Sequence, residues 1–205
     1  MHGRLKNLLI ALLVALARTV AGEVPSDGEV KATFLMSIAE FVEWPGGAFA
    51  GPSAPITLGV IGEDPLDAEL NKLDGKLVNG RRLEVKRFKG VLEFRGDETP
   101  GKRQDELTDR RKRKLEELRG CHILFIGSSE KKLLPIIFKS VRGGSVLTVG
   151  DMGSFAQQGG VIDFIKLDGK IHLEINRAVA ERARLKISSK LLNLARVIEG
   201  GHEAE

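Results

Sequence analysis

Three short segments carry residue types able to bind or react: Gly62-Glu63-Asp64-Pro65, Gly127-Ser128-Ser129 and Gly150-Asp151. Each follows an apolar run that reads as a strand, and each places small or carboxylate residues beside the start of the next element. Free N–H groups at a helix start can hold an anion, and Asp64 with Asp151 can hold a cation. Glu63, Asp64, Ser128, Ser129 and Asp151 are therefore the candidate ligand-binding residues. The same residue types are also favoured there by capping and turn geometry alone. That plainer role stands beside the binding one.

Signatures of catalysis are missing. The chain has no GxSxG, P-loop, GxGxxG or HExxH pattern. Its four histidines, His2, His122, His172 and His202, do not fall at metal-ligand spacing. No catalytic or metal-ligating residue is assigned, no cofactor is expected, and the expectation is that the chain is not an enzyme. An enzymatic reading would have to rest on Asp64 or Asp151. Cys121 is the single cysteine, so an intrachain disulfide is impossible. It opens the apolar run CHILFI, which suits a packed, inert thiol. An intermolecular disulfide or a redox role would need an exposed thiolate.

The elements that must position these loops are legible. Val30, Phe34, Ile38, Phe41 and Val42 make one helical stripe, which Trp44-Pro45 should end. Strands are expected at 56–61, 83–88, 121–126 and 145–149, separated by helices. The stretch EKKLLPIIFKSV reads as a helix that Ser128 or Ser129 can cap. VIDFIKL and KIHLEI flank Asp168-Gly169, a hairpin signal. Asn176 can cap a closing helical stretch, RAVAERARLKISSKLLNLARVIE, broken near Lys186–Ser189, with Ser188 or Ser189 capping a second helix. Strands alternating with helices imply a mainly parallel sheet. The expected fold is a three-layer α/β domain of doubly wound type with about six strands, flanking helices and an antiparallel C-terminal hairpin at its edge. In such a sheet ligands bind beyond the carboxyl ends of the strands.

Composition and organisation narrow the function class. The chain has 205 residues, of which 42% are hydrophobic and 29% charged, enough for one domain with a sizeable core. Residues 1–22 run from basic (Arg4, Lys6) through apolar (Leu8 to Ala17) to small (Ala21, Gly22), the order of a secretory signal peptide. The apolar run is about half of the ~20 residues a bilayer span needs. An uncleaved anchor is the alternative. Without that leader the basic residues nearly balance the 28 acidic ones, so nothing electrostatic favours nucleic acid as a partner. One domain is expected over 23–199 and a flexible tail over 200–205. Residues 90–119 form a charged helical insertion, whose RRKRK run at 110–114 reads either as a solvated face or as a contact with anionic headgroups.

The motifs together resemble the YfiR family of periplasmic proteins. The matching pieces are VKATFLMSIAEFVEWP, ITLGVIGEDPL, LDGKLVNGRRLEV, CHILFIGSSE, VLTVGDMGSFAQQGGVIDFI and LEINRAVAERARLKISSKLLNLARV. They cover nearly all of the chain beyond the leader. The resemblance implies an exported, non-catalytic domain, dimeric in its relatives. Such a domain represses an inner-membrane diguanylate cyclase by docking on its periplasmic part, so lowering cyclic di-GMP and biofilm formation. It also implies that Gly150, Asp151, Phe155, Gly159 and Gly160 build a fixed turn, with Phe155 plugged into the core. Redox-linked relatives use cysteine pairs, and Cys121 alone cannot serve that way. A periplasmic small-molecule sensor working with a kinase or other receptor is the alternative function, with its pocket at Asp64, Ser128 and Asp151.

Overall fold

The structure is a computed structural model that describes residues 25–88, 113 and 116–200. The expected leader (1–22) and most of the expected charged insertion (90–119) and tail (200–205) lie outside those residues. Helix α1 (Asp27–Phe41) opens the described chain. Ser26 and Glu29 cap it reciprocally: the Ser26 side chain accepts the Glu29 N–H, and the Glu29 carboxylate accepts the Ser26 N–H. The helix stops at Phe41, a turn earlier than Trp44-Pro45 suggested. Val42–Glu43 (β1) instead pairs antiparallel with Lys186–Ile187 (β9) in a two-stranded ribbon.

The main sheet has the order β10-β8-β7-β6-β5-β2-β4-β3. Its strands are β2 (Ile56–Ile61), β3 (Leu77–Val78), β4 (Arg81–Phe88), β5 (Ile123–Ile126), β6 (Leu147–Gly150), β7 (Ile162–Leu167), β8 (Lys170–Asn176) and β10 (Ala195–Ile198). Strands β4, β2, β5, β6 and β7 are parallel neighbours. Chain order 2-4-5-6-7 laid out as 4-2-5-6-7 is doubly wound, with its switch point between β2 and β5. The two edge strands, β3 and β10, bring the sheet from the expected six or so to eight. The hairpin β7–β8 does turn at Asp168-Gly169, both with positive φ, but it is not the edge. Strand β10 adds parallel to β8 beyond it.

Burial explains why the central strands are what they are. ITLGVI and ILFI are buried at every position, as strands covered on both faces must be. Ile56, Leu58, Val60, Ile123, Phe125, Leu147 and Val149 join one core with Ala32, Leu35 and Ile38 of α1 and Leu70 of α2 (Asp67–Asn71). Leu124 and Ile126 face the other way, onto Leu134, Ile137 and Val141 of α3 (Leu134–Val141) and onto Phe155. That makes three layers. Each such fully buried apolar side chain stabilises the fold by roughly 1.5–3 kcal/mol.

One expected cap is absent and two are present. Neither Ser128 nor Ser129 caps a helix; Gly127 precedes a 3-10 turn (Ser128–Leu133) without a side-chain cap. Asn176 does cap α4 (Arg177–Arg182), accepting the Val179 N–H at 3.1 Å. The closing stretch is far less helical than its pattern suggested. Arg184 takes φ of 59° and α4 ends. Ser188 then caps only the four-residue α5 (Ser189–Leu192). Residues 195–198 leave the helical stripe to complete the open edge of β8.

Candidate functional site

The switch point between β2 and β5 is where a doubly wound sheet offers its crevice. Here the loops that follow β2 and β5 approach each other closely. Gly62 turns the chain out of β2 with φ of 82°, and a Cβ there would lie 2.5 Å from Ser129 Oγ. Gly127 sits so close to the neighbouring loop that a Cβ would meet the Glu63 carbonyl oxygen at 2.8 Å. The Glu63 N–H donates to Ser129 Oγ at 3.0 Å and the Gly127 N–H to the Ile61 carbonyl at 2.8 Å. Glycine at both positions is therefore demanded by close approach.

The carboxylates of the rim are engaged in the same way. Asp64 Oδ1 accepts the Leu66 N–H at 3.0 Å in a local turn. Burial pushes its carboxyl above the usual range, and the nearby Asp151 charge adds to that. Asp151 forms an ion pair with Lys31 of α1, both side chains largely buried. Asp163 of β7 is fully buried and accepts the N–H groups of Phe155 at 2.9 Å and Met152 at 3.4 Å. Burial outweighs those two bonds, and its pKa is pushed up to about 6. Opposite Asp163 in the β7–β8 register stands Glu174, also fully buried, paired with Arg196 of β10 and accepting from Gln157.

The loop 151–161 is pinned onto this network. The Phe155 ring is fully buried and lies over Gly150 and Gly160. Gly150 has space for no side chain: a Cβ would lie 2.5 Å from that ring. Gly159 takes φ of 109°. Asn176 donates to the Ala156 carbonyl at 2.8 Å, and Thr148 Oγ1 accepts the Val161 N–H at 3.0 Å. The loop has an anchor at each end and a ring in its middle.

Of the five candidate residues, Glu63, Asp64, Ser128 and Ser129 are brought together at the switch point. Asp151 stands beside them, tied to Lys31. Glu63, Ser128 and Ser129 are exposed. Sequence reasoning missed Lys31, Asp163 and Glu174. Asp163 carried a signal, an acid inside the apolar run VIDFI; Lys31 carried none, because its partner is 120 residues away.

At the rim the Ser129 hydroxyl donates to the carboxylate of buried Glu130 at 3.3 Å. His122 lies at the other end of β5, where Nδ1 accepts the Thr57 N–H at 3.0 Å and Nε2 donates to the Ala48 carbonyl at 3.0 Å. Its ring stacks on Phe49 at 4.3 Å, and the Arg81 guanidinium covers the other face of Phe49 at 3.9 Å. Burial holds the imidazole below its ordinary pKa, which keeps it neutral and structural. Cys121 is buried and its thiol is pushed up to about 11 by burial, so it is not a nucleophile at neutral pH. Among the described residues no group of three or more His, Cys, Asp or Glu side chains could hold a metal ion. No described helix is long and apolar enough to cross a membrane.

A rim locked by its own contacts suits a rigid body better than a reaction chamber, and the comparisons agree in fold. A crystal structure of a conserved domain protein from Vibrio cholerae O1 biovar El Tor str. N16961 superposes with a TM-score of 0.51 at 11% identity, covering 84% of this chain. This chain spans 60% of that one, and at such identity the likeness is one of fold. No curated protein matches the chain. The family model described as YfiR/HmsC-like matches residues 28–196, from the first turn of α1 to β10. The chain belongs to the YfiR/HmsC-like family.

Proposed function

We propose that this protein is a periplasmic regulator that represses a membrane-bound diguanylate cyclase by docking on the cyclase's periplasmic domain. The single observation carrying this reading is membership of the YfiR/HmsC-like family across residues 28–196. The tight contact between the two switch-point loops, where the Glu63 N–H donates to Ser129 Oγ, is compatible with a body that acts through its surface. Residues 1–22 act as the export signal and 23–199 form the working domain, which associates as a homodimer. Repression by docking is a population shift, so the regulator must bind the inactive cyclase better than the active one.

The direct test is retention of the purified cyclase periplasmic domain by the exported protein. A saturable complex is expected. Failure to bind at any attainable concentration, together with unchanged cyclic di-GMP on deletion of the gene, overturns the reading.

A further inference from the structure

Concave surface lies at the other end of the sheet from the rim. A groove of about 470 Å³ opens between α3 and α4, toward the amino ends of β6 and β7. That volume falls within the ~300–1,000 Å³ typical of small-molecule sites. Its floor holds the buried Thr148, Val161 and Asn176. Phe138 and Val179, each half-buried, form the facing walls.

The charges are one-sided. Lys139, Arg142 and Arg182 stand exposed at the lip, and no residue lining the groove is acidic. Among the described residues neither Lys139 nor Arg142 has a carboxylate partner. Arg182 already makes a contact of its own, so the uncompensated positive charge at the lip comes from Lys139 and Arg142. A concavity with cations of one sign and apolar walls concentrates anions.

The floor is polar but already bonded. Thr148 accepts from Val161, and Asn176 accepts from Val179 while donating to Ala156. A ligand therefore gains little from hydrogen bonds at the bottom. It gains from covering Phe138, Val161 and Val179 and from placing a negative group among the lip cations, where guanidinium and carboxylate match in geometry.

We propose that this groove binds a small amphipathic anion, a monocarboxylate whose aliphatic or aromatic body lies against Phe138 and Val179 and whose head sits between Lys139 and Arg142. The site is separate from the rim and does not rest on the repressor reading. The alternative source of the same chemistry is a lipid headgroup in a membrane surface.

Decanoate, below its micelle concentration, is the probe, titrated calorimetrically into the protein purified after export. Decylammonium and decanol are matched controls. Saturable binding of decanoate, at least about tenfold tighter than either control, is expected. Lys139→Glu with Arg142→Glu should weaken it by about tenfold or more, and Val179→Trp should abolish it by filling the groove. The control ligands keep the test valid if a variant fails to fold. No decanoate binding, equal binding of decylammonium, or binding to phosphatidylglycerol vesicles but not to decanoate would each overturn the proposal.

Discussion

Asp163 accepts the backbone N–H of Phe155 at 2.9 Å, from a side chain with no exposed surface. One carboxylate in the sheet thus fixes the loop whose ring closes the second core. The loop is held by a polar bond at its base and by shape above, and the two can be separated experimentally.

Shape comes first. A methyl group at Gly160 would collide with the Phe155 ring, which the fully packed core cannot move. Gly160→Ala should destabilise the protein by about 1–3 kcal/mol through overpacking, measured by urea unfolding. In a Phe155→Ala background, itself costing about 3–5 kcal/mol, the added cost should fall close to zero. Additive costs would mean that ring and glycine do not compete for space.

The polar bond carries a pH signature. Burial pushes the Asp163 carboxyl up to about 6, well above the ordinary aspartate value near 3.8. Because the folded pKa is raised, the native state binds more protons than the unfolded state between those values. The group's contribution is therefore most favourable below about pH 4 and weakens as pH rises toward 6. The slope is up to about 1.4 kcal/mol per pH unit. Asp163→Asn should flatten the pH dependence of unfolding free energy across that window, though it leaves one of the two amides poorly matched. His122 acts with the opposite sign: its lowered folded pKa contributes stability above the ordinary histidine value of 6.5 that is lost as pH falls below it. A pH profile unchanged by Asp163→Asn would remove Asp163 from this role.

Lys31 and Asp151 form a largely buried pair that ties α1 to the end of β6. Removing one partner leaves the other charge in a poorly solvated place. Lys31→Met should cost about 3 kcal/mol or more, while the double variant Lys31→Met with Asp151→Leu recovers most of that loss. A double-mutant cycle with no coupling would show the pair to be solvated.

Cys121 offers a chemical check on burial. With its thiol pushed up to about 11, native protein at pH 8 should resist iodoacetamide over hours and react fully in denaturant. Rapid labelling of native protein would contradict the packing of Cys121 against Gly59, Phe88 and Leu124.

Much of the frame was readable in the sequence because its signals are local. ITLGVI, the Asp168-Gly169 turn and the Asn176 cap each depend on a few adjacent residues. The C-terminal segment was misread because RAVAERARLKISSKLLNLARVIE has a helical pattern that tertiary structure overrides. Strand β8 has an unfilled edge, and Ala195–Ile198, with β-branched Val197 and Ile198, satisfies it. The rim shows the same division. Gly62, Asp64 and Gly127 announce a turn in the sequence, but that these turns interlock, and that Lys31 neutralises Asp151, follows only from contacts across the fold.

The central claim is that this protein holds a cyclase in check from the periplasm. The level of cyclic di-GMP in cells lacking the chain measures that most directly. It should rise on deletion and return on complementation with the whole chain, but not with a version lacking residues 1–22. An unchanged level on deletion, or equal rescue by the version that stays in the cytoplasm, contradicts the account.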